Sequence, residues 1–107
     1  MDTRELVVIT GCSSGIGLET ALLLSERFHV LAGVRSKSDA DKLRALGKPH
    51  LEPVMLDITK AAHRAAVAAR VAALSSGKGL WALVNNAGIV PVGPVELLGA
   101  ESLRQAL

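Results

Sequence analysis

Apolar residues fall in short runs separated by stretches of mixed, helix-like periodicity. Residues 6–9, all aliphatic and closed by Thr10 and Gly11, predict a strand buried on both faces, as in parallel sheets. From residue 15 or 16 to about 28, positions Ile16, Thr20, Leu23, Leu24 and Phe28 recur at spacings of three and four and predict a helix with that face on the sheet. Residues 29–34 predict a second strand, and residues 35–38 a polar turn in which Ser38 is the expected cap of a helix reaching about residue 46. Residues 51–56 predict a third strand, and Pro53, which has no backbone donor, assigns it to an edge. Thr59 is the expected cap of an alanine-rich helix over 60 to about 74, in which Ala66, Val67, Arg70, Val71 and Leu74 alternate between buried and solvated faces. A fourth strand is predicted over 80–84, an irregular segment over 91–94, and a further helical stretch over 101–107.

Four strands alternating with three helices is the pattern of βαβ units, whose right-handed crossovers place helices on both faces of a parallel sheet. The expected fold class is therefore α/β, in one domain over residues 1–107. The last helical stretch ends at Leu107 without the glycine, asparagine or basic turn that usually closes a helix. The expectation is an incomplete domain.

Composition narrows the function. Twelve Lys and Arg against ten Asp and Glu, with no basic block, give a net charge of +2 and imply no nucleic-acid partner. Phe28 and Trp81 are the only aromatic residues of these kinds, and tyrosine is absent, so platforms for stacking bases are missing. The single cysteine fits a reducing compartment, and no apolar run approaches the ~20 residues needed to span a bilayer. A soluble, cytoplasmic location is expected.

Chemistry concentrates where the first strand runs into Thr10-Gly11-Cys12-Ser13-Ser14-Gly15-Ile16-Gly17. Gly11 allows a tight exit from the strand, Gly15 removes bulk where a diphosphate would approach, and Gly17 allows close packing of the helix on the sheet. The first N–H groups of the helix lack internal partners and carry its positive dipole end, so an anionic pyrophosphate is the natural ligand. Ser13 and Ser14 add hydroxyl donors. The spacing GxxxGxG lacks the lysine of nucleotide-hydrolase loops and differs from the usual GxGxxG fingerprint. Cys12 beside a helix N-terminus reads either as an activated thiol or as a small residue that fits the turn, and the second is preferred. His29, His50 and His63 have no metal-ligand spacing and read as ordinary boundary residues; no metal site is expected.

Together with Asn85-Asn86-Ala87-Gly88, about seventy residues later at the end of the fourth strand, this loop resembles the short-chain dehydrogenase/reductase family. The loop, with Gly33-Val34-Arg35-Ser36-Lys37, is most similar to its hydroxysteroid and retinol dehydrogenase-like branch. The resemblance implies a Rossmann-type, doubly wound sheet of order 3-2-1-4, with a nicotinamide dinucleotide across the strand ends. It makes Gly11, Cys12, Ser13, Ser14, Gly15, Ile16 and Gly17 the phosphate loop. It further implies that Asp57 bonds the adenine amino group with Ile58 beside the ring, and that Asn86, Ala87 and Gly88 pass the adenosine ribose. Asn85 and Asn86 are also expected to bond across to the Thr10 region. NAD-preferring members carry a carboxylate at the end of strand two; here that position is Val34, followed by the cation Arg35 with Lys37 nearby, so NADP is the expected cofactor, with NAD the alternative.

The family's active-site serine, its Tyr-x-x-x-Lys pair and the asparagine on the helix after NNAG are expected beyond Leu107, so no catalytic residue is assigned. The leading expectation is the cofactor-binding portion of an oxidoreductase acting on a carbonyl or secondary alcohol. Its substrate would be a small, lipid-like molecule and its partners further copies of the full-length chain, with the 107 residues inactive alone. The alternative is a non-catalytic dinucleotide-binding or regulatory module.

Overall fold

The computed structural model describes residues 4–76 and 78–86, and the apolar runs within them assemble into one parallel sheet. Strands β1 (Leu6–Ile9), β2 (His29–Val34), β3 (Leu51–Met55) and β4 (Ala82–Val84) lie in the order β3-β2-β1-β4. Val7 registers with Val30 on one side and Ala82 on the other, and Val30 registers in turn with Leu51. The expected Rossmann-type order is therefore the observed one, with Pro53 on a strand bonded along β2 alone, where a missing N–H costs no ladder bond to a further strand.

Helices α1 (Gly15–Leu24), α2 (Lys37–Ala45) and α3 (Ala61–Ser75) connect the strands. Because side chains alternate along a strand, each run feeds two cores. Val7, Ile9, Val30, Ala32 and Val34 pack with Ala21 of α1 and Ala40 and Leu43 of α2. Val8 and Leu31 point the other way and pack with Leu56 and with Val67 of α3, supported by Val71 and Leu74. Both faces of the sheet are covered, which is why β1 and β2 read as unbroken apolar runs rather than as alternation.

Several local expectations need correction. In α1 the helical period is right and the expected face is right in part: Leu24 and Phe28 pack against the core, but Ile16 and Leu23 are 78% and 67% exposed, while Gly17 and Ala21 are buried. At its fully buried positions the helix has its smallest residues, flanked by Leu18, Leu22 and Leu24 on the core, with Ile16 and Leu23 on the outer side. It also stops at Leu24 instead of reaching Phe28, closing through Glu26 N–H to the Leu23 carbonyl at 3.3 Å and Arg27 N–H to the Leu24 carbonyl at 3.0 Å. Ser36, not Ser38, caps α2: its Oγ accepts from Asp39 N–H at 3.2 Å and donates to the Asp39 carboxylate at 2.9 Å. Thr59 does not cap α3; Lys60 holds that position without a side-chain bond, and the Thr59 hydroxyl turns back to Asp57.

The fourth strand begins at Ala82 rather than residue 80. Trp81 still joins the sheet edge through its N–H to the Leu6 carbonyl at 2.9 Å, and its ring stacks on Phe28 with centroids 4.9 Å apart. No helix among the described residues is long and apolar enough to cross a membrane. Ala87, Gly88, the 91–94 segment and the helix expected over 101–107 lie outside the described residues.

Candidate functional site

Parallel strands deliver all their C-terminal ends to one edge of the sheet, so the loops after β1, β2, β3 and β4 meet there although they are spread over some eighty positions of sequence. Thr10, 4% exposed, is the junction. Its N–H donates to the Val84 carbonyl at 3.1 Å, and its Oγ1 accepts the Asn86 N–H at 2.8 Å. Asn86 Nδ2 donates in turn to the Gly11 carbonyl at 3.1 Å. The expected bond from the asparagine pair to the Thr10 region is present, made by Asn86.

Within the glycine loop the residues divide by role. Gly11 and Gly15 have φ of 69° and 63°, the left-handed region that a side chain disfavours. A Cβ on Gly17 would overlap the Gly11 carbonyl and lie 2.5 Å from Asn86 Nδ2; this glycine is required by close approach. Around Gly15 there is open space, and Ser13, Ser14, Gly15 and Ile16 are exposed. Ser14 occupies the N-cap of α1 with no side-chain cap bond, so the first-turn N–H groups are not satisfied by it.

Cys12 faces the other way. It is fully buried, its Sγ–H donates to the Ile9 carbonyl at 3.2 Å and its N–H donates to the Gly33 carbonyl at 2.8 Å. Burial raises the thiol to a pKa of about 11, against a smaller lowering by a backbone hydrogen bond at Gly33. It is a packed anchor of the loop to β2, and the activated-thiol reading has no support.

After β2, Val34 is buried and its carbonyl accepts Leu56 N–H at 2.8 Å, which leaves exposed Arg35 as the first side chain to leave the sheet. After β3, Asp57 Oδ1 accepts from Thr59 N–H at 3.0 Å and Thr59 Oγ1–H at 2.6 Å. These two bonds hold its carboxyl below the ordinary aspartate value, with smaller contributions from the charges of Arg35 and Lys60. Ile58 is 36% exposed, its carbonyl held by Arg64 Nη1 at 2.7 Å.

His63, which the sequence reads as an ordinary boundary residue, belongs to this loop. Its Nδ1 accepts the Asp57 N–H at 2.9 Å. His63 is the third residue of α3, the position from which a side chain reaches back to the entering chain; that position was the available signal. His29 and His50 lie away from these loops, edge to face at 6.1 Å, with His29 Nε2 3.9 Å from Glu52.

The chain matches the family model described as short chain dehydrogenase over residues 5–107. It is 47% identical to human retinol dehydrogenase 16 over 96 residues, covering 88% of this chain and 30% of that protein. To 17-beta-hydroxysteroid dehydrogenase type 6 of Bos taurus it is 40% identical, over 96% of this chain and 33% of that one. Among solved structures, NADPH-bound carbonyl reductase from chicken fatty liver superposes with a TM-score of 0.74 at 32% identity, covering 98% of this chain and 42% of its own. The chain thus spans about a third of the length of the curated relatives it matches. With that match carried by the same loop and sheet order described above, the chain belongs to the short-chain dehydrogenase family.

Proposed function

We propose that these 107 residues are the dinucleotide-binding portion of an oxidoreductase that exchanges hydride with a carbonyl or secondary alcohol, with NADP as the preferred cofactor. The observation that carries the reading is the loop from Gly11 to Gly17. It is pinned from beneath by Asn86 and Cys12, open above Gly15, and leads into a helix whose N-cap side chain makes no cap bond. Such a surface fits a pyrophosphate, which the free first-turn N–H groups and the helix dipole would hold. The solved carbonyl reductase that the chain resembles holds NADPH.

Residue roles follow from position. Ser13, Ser14, Gly15 and Ile16 would line the diphosphate, Gly11 and Gly17 shape the turn, and Cys12 fixes it to β2. Asp57 and Ile58 would meet the adenine, and Asn86, Ala87 and Gly88 the ribose. Arg35 replaces the carboxylate that would repel a 2′-phosphate, and its planar cation suits one; Lys37 adds a second charge. When bound, a nicotinamide dinucleotide supplies or accepts the hydride. With no tyrosine in the chain, these residues bind and orient without moving a proton, so the 107 residues alone turn nothing over. A lipid-like alcohol or ketone is the substrate class favoured by the retinol and hydroxysteroid names of its relatives. Assembly into homo-oligomers and a cytoplasmic location complete the reading for the full-length protein.

Calorimetric titration of the chain with NADP⁺ and NAD⁺ tests it. NADP⁺ is expected to bind about tenfold more tightly, the scale of one charged hydrogen bond, and Arg35→Ala to abolish the difference. Equal or tighter NAD⁺ binding would overturn the preference, and binding of neither by the folded chain would overturn the reading.

A further inference from the structure

The loop after β3 is held at two points. One is local: Asp57 Oδ1 with the N–H and hydroxyl of Thr59. The other comes from the next helix, through the Asp57 N–H donated to His63 Nδ1 at 2.9 Å. Since the donor is a backbone amide, Nδ1 is the unprotonated nitrogen and the ring carries its proton on Nε2. Removing the imidazole leaves the half-buried Asp57 amide without this partner.

The rest of the loop is set among charges. The charged groups about the loop are the Asp57 carboxylate itself, Arg35 at the end of β2 and Lys60, both of whose charges act on Asp57, and Arg64, whose Nη1 is bonded to the Ile58 carbonyl at 2.7 Å. Glu52 and Arg70 lie further back along β3 and α3 and pair with each other at 2.7 and 2.8 Å.

We propose that His63 is a positioning residue for the adenine-contacting loop: by accepting the Asp57 amide proton it fixes the Asp57 carboxylate and Ile58 for the cofactor. The inference rests on the reading of Asp57 and Ile58 as the adenine contacts.

The test uses NADP⁺ titrated calorimetrically into the wild-type chain, His63→Asn and His63→Leu at pH 8. Asparagine presents an acceptor at the same branch position; leucine presents none. At pH 8, His63→Leu is expected to bind about fivefold more weakly than wild type, the scale of one hydrogen bond, with His63→Asn restoring most of the loss. The Asp57 amide resonance, followed without cofactor, is expected to move in His63→Leu and to stay near its wild-type position in His63→Asn. NADP⁺ binding by His63→Leu as tight as by wild type, or a loss that His63→Asn does not restore, would overturn the inference. An Asp57 amide displaced in His63→Leu, in a chain whose wild type binds no NADP⁺ at pH 8, would overturn the functional reading instead, and the claim on affinity with it.

Discussion

Asn86 and Gly11 stand 75 residues apart and are joined by one bond, from Asn86 Nδ2–H to the Gly11 carbonyl at 3.1 Å. It runs beside the bond from Asn86 N–H to Thr10 Oγ1 at 2.8 Å, so one residue at the end of β4 fixes both the strand exit and the first residue of the glycine loop. The two bonds differ in environment: Asn86 is exposed and Thr10 is 4% exposed. Thr10→Val keeps the shape and leaves the Asn86 amide unmatched against a buried methyl group, at a cost of about 1–2 kcal/mol. Asn86→Ala removes a solvent-facing bond and costs about 0.5–1 kcal/mol. Urea denaturation of both variants checks the order; an Asn86→Ala loss as large as that of Thr10→Val would contradict it.

Gly17 and Gly15 separate close approach from backbone conformation. A Cβ on Gly17 overlaps the Gly11 carbonyl, a backbone atom that cannot swing away, whereas a Cβ on Gly15 meets nothing within 4 Å but must adopt φ of 63°. Gly17→Ala is expected to cost about 2–3 kcal/mol by forcing α1 off the loop, and Gly15→Ala about 1 kcal/mol. Thermal melts of the two variants read the difference directly. Should Gly15→Ala prove the more damaging, the packing of α1 on the loop is not the constraint described.

The features legible in the sequence are those that local composition dictates. β1 and β2 are apolar on both faces because both faces are covered, and Pro53 marked an edge through a missing donor. The glycines and asparagines of the two loops announced themselves because few residues tolerate their positions. What was hidden depends on distance or on phase. In α1, Ile16 and Leu23 outweigh Gly17 and Ala21 on any scale of hydrophobicity, yet the sheet accepts the small pair because a helix can lie closest where side chains are shortest. Ser36 and Ser38 each precede an aspartate by three residues, so composition alone does not choose between them; the end of β2 does, by leaving Ser36 extended at φ −134°. His63 acts across a loop on an amide six residues earlier, a contact that no periodicity records.

Glu52 on β3 and Arg70 on α3 tie the edge of the sheet to the helix that crosses it, through Nε at 2.7 Å and Nη2 at 2.8 Å. The bonds to Arg70 hold the Glu52 carboxyl below its ordinary value of 4.5, against partial desolvation, with smaller help from His29. A carboxylate whose folded value is lowered contributes stability that is fully present above the unfolded value and is lost as pH falls through the folded one. The pair is partly exposed, so solvent screening limits its worth to about 0.5 kcal/mol. Wild type is expected to lose its advantage over Glu52→Gln between pH 6 and pH 3. Denaturation curves in which the two remain equally separated at both pH values would show that the pair contributes nothing that titrates.

Cys12 offers the most direct chemical reading of the loop. Its Sγ is fully buried under the turn and bonded to the Ile9 carbonyl at 3.2 Å, and burial lifts the thiol from 9.0 to about 11. The thiolate is the form that alkylates, so at pH 8 the lifted value alone lowers the reactive fraction by about a hundredfold, before any loss of access. Native chain is therefore expected to resist iodoacetamide at pH 8 for times in which chain unfolded in urea is fully modified. The same displacement sets a sign for stability: between pH 9 and 11 the unfolded thiol has released a proton that the folded one keeps, so stability declines as pH rises through that interval. Replacing Cys12 with alanine removes that alkaline decline while leaving the rest of the pH profile in place. A native thiol alkylated as fast as the unfolded one would mean that the turn from Thr10 to Gly17 is open beneath as well as above, and that Cys12 does not anchor it to β2.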